Sequence, residues 1–421
     1  MKTIEQIAAE LQGYDPHALS ADAVNDFLSR LVEPIADTEE LGLIAALGRV
    51  LAQPLISPVS VPPHDNSAMD GYAFNGAALR PDAPLVLREI GTALAGKAWT
   101  GQAATGQCVK IMTGAIMPPG LDTVVPQELV QAVDGVITIA PGLVQTGDNR
   151  RLTGEDVMAG QEALKKGDLL TPASLGLAAS LGISTVTVFR QLRVAYFSTG
   201  DEILSLGDSP REGAVFDSNR YTLFGLLTRL GCKVLDLGVV RDDPALLEAA
   251  FTQAASQVDA IITSGGVSVG EADFTKAMMK KLGDVAFWRI AMRPGRPMAV
   301  GRIGKSVLFG LPGNPVAVMV TFLAFVRPAL LHMMGANSAA PPLLRARSSE
   351  AIRKKPGRTE YQRGTVSTAP DGSLQVKTTG NQGSGVLSSM VQANGLILLH
   401  HAQGHVAAGD EVDVMMFTGV I

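Results

Sequence analysis

Asp259-Ala-Ile-Ile-Thr-Ser-Gly-Gly-Val-Ser-Val-Gly-Glu-Ala-Asp273 decides how this chain is read. Its first six residues form an apolar run that halts at Gly265-Gly266, and helical spacing begins by Phe274 and continues to Leu282. The pattern reads as strand, glycine-rich turn and helix N-terminus, which aims unpaired backbone N–H groups at whatever lies over the turn and favours an anion there. Glu271 and Asp273 in the same turn would repel a bare phosphate. Both features suit one site if a divalent cation bridges carboxylate to phosphate. Arg289, Arg293 and Arg296 follow, then Gly310-Leu-Pro-Gly-Asn-Pro315, so cations, acids and rigid loops gather in one βα-type region. The turn residues Ser264, Gly265, Gly266 and Ser268, with the three arginines, are the expected anion contacts.

Around this stretch, residues 191–341 alternate strand and helix. Strands are expected at Leu192–Phe197, Lys233–Val239, Asp259–Thr263, Met298–Gly301 and Val307–Leu311. Helices are expected at Ser218–Leu230, Pro244–Gln257, Glu271–Leu282 and Asn314–Met334. Such alternation predicts a mainly parallel sheet with helices on both faces, and ligands at the carboxyl ends of its strands. Acids fall at three of those ends: Asp201-Glu202, Asp242-Asp243, and Glu271 with Asp273. Any one could cap a helix, but three strand ends carrying acids in one sheet favour a site for one or two Mg²⁺ ions.

Flanking this α/β part, residues 1–57 read as helical, with Ser20 or Asp22 capping one helix and Leu41 to Leu51 forming a second. Residues 58–151 read as a small β domain, with strand-like runs Leu85–Ile90, Cys108–Met112, Thr123–Pro126 and Val136–Ile139. Residues 152–190 turn mixed again, with a helix at Pro172–Leu181, which makes the β domain an expected insertion between two segments that pack together. Beyond Pro341-Pro342, residues 342–421 read as a C-terminal all-β domain. The fold class is therefore α/β and β multidomain.

The 421 residues exceed one core, and 46% hydrophobic content can fill several. A net charge of −5 argues against a nucleic-acid protein. Two cysteines, Cys108 and Cys232, each inside an apolar run, suit buried thiols in a reducing compartment. The richest apolar segment, Val316 to Met334, is broken by Arg327, Pro328 and His332, so no membrane span is expected and the cytoplasm is the expected location. Gly304-Lys305-Ser306 lacks the glycine a P-loop needs at position 299, where Ala299 stands, and reads as a turn. His400, His401 and His405 read as surface histidines.

Taken together, eight motifs resemble the molybdopterin molybdenumtransferase family, the bacterial MoeA type to which the C-terminal domain of gephyrin is related. They are Asp65-Asn-Ser-Ala-Met-Asp-Gly-Tyr72, Ile111-Met-Thr-Gly114, Gly154-Glu-Asp156, Phe197-Ser-Thr-Gly-Asp-Glu202, Arg241-Asp-Asp243, Ser264-Gly-Gly-Val-Ser-Val-Gly-Glu-Ala-Asp273, Leu311-Pro-Gly-Asn-Pro315 and Pro356-Gly-Arg358. The resemblance implies insertion of molybdate into adenylylated molybdopterin with Mg²⁺-dependent release of AMP. It implies Asp70, Thr113, Asp156, Glu202, Asp242, Asp273, Pro312, Pro315 and Ser384 at or near the active site, with Glu202, Asp242 and Asp273 toward the metal. It also implies a homodimer with clefts built from both chains, and a transient contact with the adenylyltransferase of the pathway. The family pattern carries lysines where this chain has Arg289, Arg293 and Arg296, exchanging a compact point charge for a planar fork. Two rivals remain: an adenylyltransferase, and a non-catalytic scaffold.

Overall fold

At the centre of the structure, a computed structural model describing residues 2–267, 274–337 and 340–419, lies a six-stranded sheet. Its order is Lys233–Val240, Arg193–Thr199, Ala260–Ser264, Ser306–Leu311, Pro297–Ile303, Gly283–Arg289. The first four strands pair in parallel, and Pro297–Ile303 runs antiparallel to both its neighbours. Ala260–Ser264 and Ser306–Leu311 are buried along their whole length, which is why they read as apolar runs rather than as alternation. Gly304-Lys305 is the two-residue turn between Ile303 and Ser306, with Gly304 at φ 60°, a glycine conformation.

Helices cover both faces, and polar caps set their starts. Asp217 accepts from the Arg220 N–H, and Asp243 accepts from the Ala245 and Leu246 N–H groups ahead of Pro244 at the first helical turn. Asp243 is thus a cap. The helix expected from Glu271 runs Phe274–Leu282 among the described residues; Ser268, Glu271 and Asp273 lie outside them. The run from Pro315 to Met333 is α-helix, a π segment at Phe322–Val326, then α-helix again. Pro328 lacks an N–H and its ring clashes with a carbonyl one turn back, and the wider π turn absorbs both. By length and composition this run could cross a membrane, against the expectation that its polar interruptions rule that out. However, 72% of its most apolar window is buried inside the protein, so its hydropathy is that of a core helix.

The N-terminal helices Ile4–Glu10 and Ala21–Leu31 are capped by Thr3 and Ser20 and pack on the α/β part. Phe27 meets Trp288 edge-on with ring centroids 4.8 Å apart, and the Trp288 indole N–H donates to the Tyr14 hydroxyl at 2.9 Å. Leu41 to Leu51 is not a helix. Thr38–Gly42 is a strand antiparallel to Thr185–Phe189, followed only by a 3-10 turn at Leu43–Ala46. Gly42 and Gly48 weaken a helix there, and Leu41, Leu43, Ala46 and Leu51 reach the core from the strand and the 3-10 turn while Ile44 stays 94% exposed. Leu55–Ile56 likewise pairs with Glu162–Leu164, so residues 38–56 join 162–189 while the helices before them do not.

Between those paired segments stands a second six-stranded sheet, with strands from Gly71–Phe74 to Val136–Ile139 and one parallel pair, Leu85–Ala93 with Gln107–Ile111. The C-terminal part is a β barrel. Thr359–Thr368 pairs with Leu374–Thr378 on one side and Gly395–Leu399 on the other, and the remaining strands close the ring. Met292–Arg293 leaves the α/β part and adds in parallel to this barrel at Thr359–Glu360.

Candidate active site

The strand order reverses between Arg193–Thr199 and Ala260–Ser264, and a topological switch point of this kind opens a crevice at the carboxyl ends. Beneath it, Tyr196, Ser198 and Ser264 share a buried triangle of hydroxyls, with Tyr196 Oη 2.8 Å from Ser264 Oγ and the two serines 3.1 Å apart. Burial pushes the Tyr196 phenol well above its ordinary range, so it stays protonated. Ser264 therefore supports the turn rather than facing ligand. Gly265 and Gly266 then take φ 92° and 64°. A Cβ on Gly265 would stand 2.5 Å from the Thr199 carbonyl oxygen, and one on Gly266 would stand 2.4 Å from Thr275 Cβ. Only glycine lets this backbone come so close to its neighbours.

Over the turn lies a cavity of about 710 Å³ between the α/β part and the barrel. Glu202, Gly265, Gly266, Arg293, Arg296, Pro312, Arg358 and Ser384 are among its lining residues. Among the described residues Glu202 is the one acid of that lining, beside three arginines. The two walls are tied together. The Asn314 amide donates to Ser384 Oγ at 3.0 Å and the Val316 N–H donates to the Ser384 carbonyl, while within the α/β wall the Asn219 amide holds the Gly313 carbonyl at 2.7 Å.

Arg363, which the sequence reading passed over, braces the barrel wall from behind. It is fully buried and donates to the Asn381, Gln382 and Gly383 carbonyls and to Ser389 Oγ. Burial, then the charge of Arg293, pulls its pKa down to about 10. Arg358 is the other residue missed as a contact, although Pro356-Gly-Arg358 had marked its loop.

Not every expected residue reaches this cavity. Asp242 stands at the neighbouring strand end, within 3.5 Å of Thr275 Oγ1, without lining the cavity. Pro315 begins the helix behind it, and Arg289 is exposed at the strand end paired with Pro297. Asp70, Thr113 and Asp156 belong to other surfaces of this chain. Asp70 accepts from both the Thr113 N–H and its hydroxyl, at 2.6 and 2.7 Å, and these bonds hold its carboxyl below the usual aspartate range. Asp156 is exposed, with its N–H donating to the Val61 carbonyl.

Among the described residues no three His, Cys, Asp or Glu side chains group as a metal cage. Glu202 and Asp242 nevertheless follow adjacent strands and offer oxygen donors alone. That set fits Mg²⁺, which keeps several waters and takes one or two carboxylates plus substrate phosphates. His400 instead bonds Asp413 at 2.7 Å, and His405 accepts from the Lys354 N–H.

A mainly parallel sheet with a glycine turn at its switch point, facing a barrel across an arginine-lined cleft, is an architecture suited to phosphate- and oxyanion-bearing ligands. Comparison with known proteins narrows the class. Three family profiles match in order: the MoeA N-terminal region (domains I and II) at residues 19–182, a probable molybdopterin binding domain at 195–332, and the MoeA C-terminal region (domain IV) at 345–417. The molybdopterin molybdenumtransferase of Haemophilus influenzae is 42% identical over 93% of this chain and 98% of its own length. That of a Nostoc species is 34% identical over 96% and 95%. The crystal structure of the molybdopterin biosynthesis moeA protein from Pyrococcus horikoshii superposes with a TM-score of 0.80 at 27% identity, covering 95% of this chain and all of that one. The chain belongs to the molybdopterin molybdenumtransferase family, transferases of molybdenum cofactor biosynthesis.

Proposed function

We propose that this chain inserts molybdate into adenylylated molybdopterin and releases AMP in a Mg²⁺-dependent reaction. The observation that carries the reading is the cleft itself, where Arg293, Arg296 and Arg358 line the same space as the Gly265-Gly266 turn and Glu202. Molybdate is a tetrahedral dianion, and the arginine forks supply charge-assisted hydrogen bonds to its oxygens. The glycine turn lets substrate phosphate approach the backbone closely. Asn314 and Val316 bond Ser384 across the seam between the walls, with Pro312 lining the cavity beside them, so the molybdenum donor and the pterin substrate would meet on surfaces that do not drift apart. Glu202 and Asp242, with Asp273, would hold Mg²⁺, which supplies charge neutralisation for the departing AMP phosphate.

The same reading makes the active form a homodimer. Exposed apolar side chains at Leu206, Val215, Phe216, Tyr221 and Phe224 supply a surface for a second copy. The Asp70–Thr113 corner would then complete the partner's cleft. It also implies a transient meeting with the adenylyltransferase that makes the substrate, and a cytoplasmic location, which suits the buried free thiols of Cys108 and Cys232. The decisive experiment incubates purified protein with adenylylated molybdopterin, molybdate and Mg²⁺ and follows AMP. Molybdate-dependent AMP release supports the reading. Consumption of ATP with free molybdopterin instead would make the chain an adenylyltransferase.

A further inference from the structure

Among the cations of the barrel wall sits one buried carboxylate that the reaction does not obviously need. Glu360 is 1% exposed. Its Oε1 accepts from Arg358 Nε at 2.8 Å and lies 2.7 Å from Arg358 Nη2, while its Oε2 accepts from the Gln362 amide at 3.1 Å. Glu360 and Gln362 share one face of the Thr359–Thr368 strand by the two-residue period, and Arg358 lies in the bend just before it. Glu360 is also the backbone partner of Arg293 where the Met292–Arg293 strand joins the barrel, with the Thr359 N–H donating to the Ala291 carbonyl beside it. One buried acid therefore stands at the junction that brings an arginine of the α/β part beside an arginine of the barrel, and both arginines line the cleft.

We propose that Glu360 is a positioning residue for oxyanion binding that acts through Arg358; this rests on the reading of the cleft as an oxyanion site. Both contacts use the Nε–Nη2 edge of the guanidinium, so the Nη1 edge is left for the cleft. A planar fork is useful only when its orientation is fixed, and Glu360 fixes it. Burying a carboxylate is costly unless it is paired and hydrogen-bonded, and Glu360 is both. Its burial keeps the charge out of direct contact with the anion, while its two acceptor oxygens hold Arg358 and Gln362 in register.

The sign of the effect separates this role from simple electrostatics. If Glu360 merely lowered the positive potential of the cleft, neutralising it would tighten anion binding. As a positioning residue, its removal loosens binding even though a negative charge is lost.

The test is molybdate binding to the purified full chain, by titration calorimetry, with thermal melting to confirm folding. Arg358→Ala should weaken molybdate binding about tenfold or more, the scale of one charged hydrogen bond. Glu360→Gln should weaken it about threefold, and Glu360→Asp, which keeps the charge but withdraws it by one methylene, should weaken it at least as much. Arg358→Ala combined with Glu360→Gln should bind no worse than Arg358→Ala alone, because the second change acts through a group already gone. In turnover the Glu360 variants should raise the half-saturating molybdate concentration more than they lower the maximal rate. Unchanged or tighter binding in both Glu360 variants overturns the proposal, as does additivity in the double variant. If Glu360→Gln does not fold, Glu360→Asp alone decides by the same criterion. Unchanged binding in Arg358→Ala would instead sink the oxyanion reading of the cleft, a result distinct from failure at Glu360 alone.

Discussion

The two ends of the Ala260–Ser264 strand carry opposite arrangements of the same kinds of group. At its amino end, Asp259 takes two hydrogen bonds from Arg190, each 2.8 Å, and one from the Arg193 N–H, while Arg190 also bonds Asp37. At its carboxyl end, Gly265 and Gly266 open onto a cavity whose described lining has three arginines and one acid. The presence of a cavity does not distinguish the ends, since a smaller space of about 390 Å³ also opens at the amino end, beside Arg193 and Lys233. What differs is where the charge points. Amino-end charges satisfy one another and hold the fold; at the carboxyl end Arg293 and Arg296 are exposed, and Arg358, paired with Glu360, lines the same cavity. Substitutions at the two ends should therefore separate binding from stability.

The largest effect is expected at the carboxyl end. Arg293→Ala should raise the half-saturating molybdate concentration about tenfold, and Arg293→Ala with Arg296→Ala about a hundredfold, at one charged hydrogen bond each. Arg293→Lys should lie between wild type and alanine, because it keeps the charge and loses the fork. Melting temperatures should barely move, since both side chains are exposed. An unchanged molybdate dependence in the double variant would erase the contrast between the two ends.

Next in size are the acids. Glu202→Gln and Asp242→Asn should each lower AMP release about tenfold or more and raise the Mg²⁺ concentration needed, as loss of a metal-ligand carboxylate does. Full activity with an unaltered Mg²⁺ dependence in both would remove the metal from this site. The dimer can be tested by complementation between Asp70→Ala and Asp242→Ala. Each should be inactive alone, and a heterodimer should regain up to about half of wild-type activity, because a two-fold assembly then holds one intact cleft. No recovery in a preparation shown to contain heterodimer would place both residues within one chain's cleft.

How legible each end was follows from what sets it. The carboxyl end was visible because glycine spacing and apolar runs are local properties of sequence. Asp259 was visible only as the first residue of a strand, because Arg190 and Asp37 reach it from distant parts of the chain. The barrel wall was hidden for the same reason. Thr359-Glu-Tyr-Gln-Arg363 is polar enough to read as loop or surface, yet every residue in it is buried. Its polarity is matched by the 381–383 carbonyls, by Ser389 and by Arg358, partners that only the closed barrel brings near. The error at Leu41 to Leu51 has the same origin: its apolar content is real, but pairing with Thr185–Phe189 decides its form.

The smallest effect on binding, and the one that completes the contrast, belongs to Asp259→Asn. Burial works to raise the Asp259 pKa, and the Arg190 hydrogen bonds, with the Arg193 N–H and both positive charges, outweigh it, so the carboxyl titrates below its ordinary 3.8. A carboxyl depressed in the folded state binds its proton more readily when the chain is unfolded. Its stabilising contribution is therefore fully present above the ordinary pKa and fades as pH falls through the depressed one. Asp259→Asn should destabilise the protein by about 1–3 kcal/mol at pH 7, the scale of lost charged hydrogen bonds at a group that keeps some contact with water. Wild type and variant should converge in chemical denaturation as pH is lowered below 3.8. Molybdate affinity at pH 7 should stay within about twofold of wild type, because the change lies at the far end of the strand from the cleft and shares no partner with it. A variant as stable as wild type at pH 7, or one that lost molybdate affinity while remaining folded, would show that the two ends of the sheet are not divided between stability and binding.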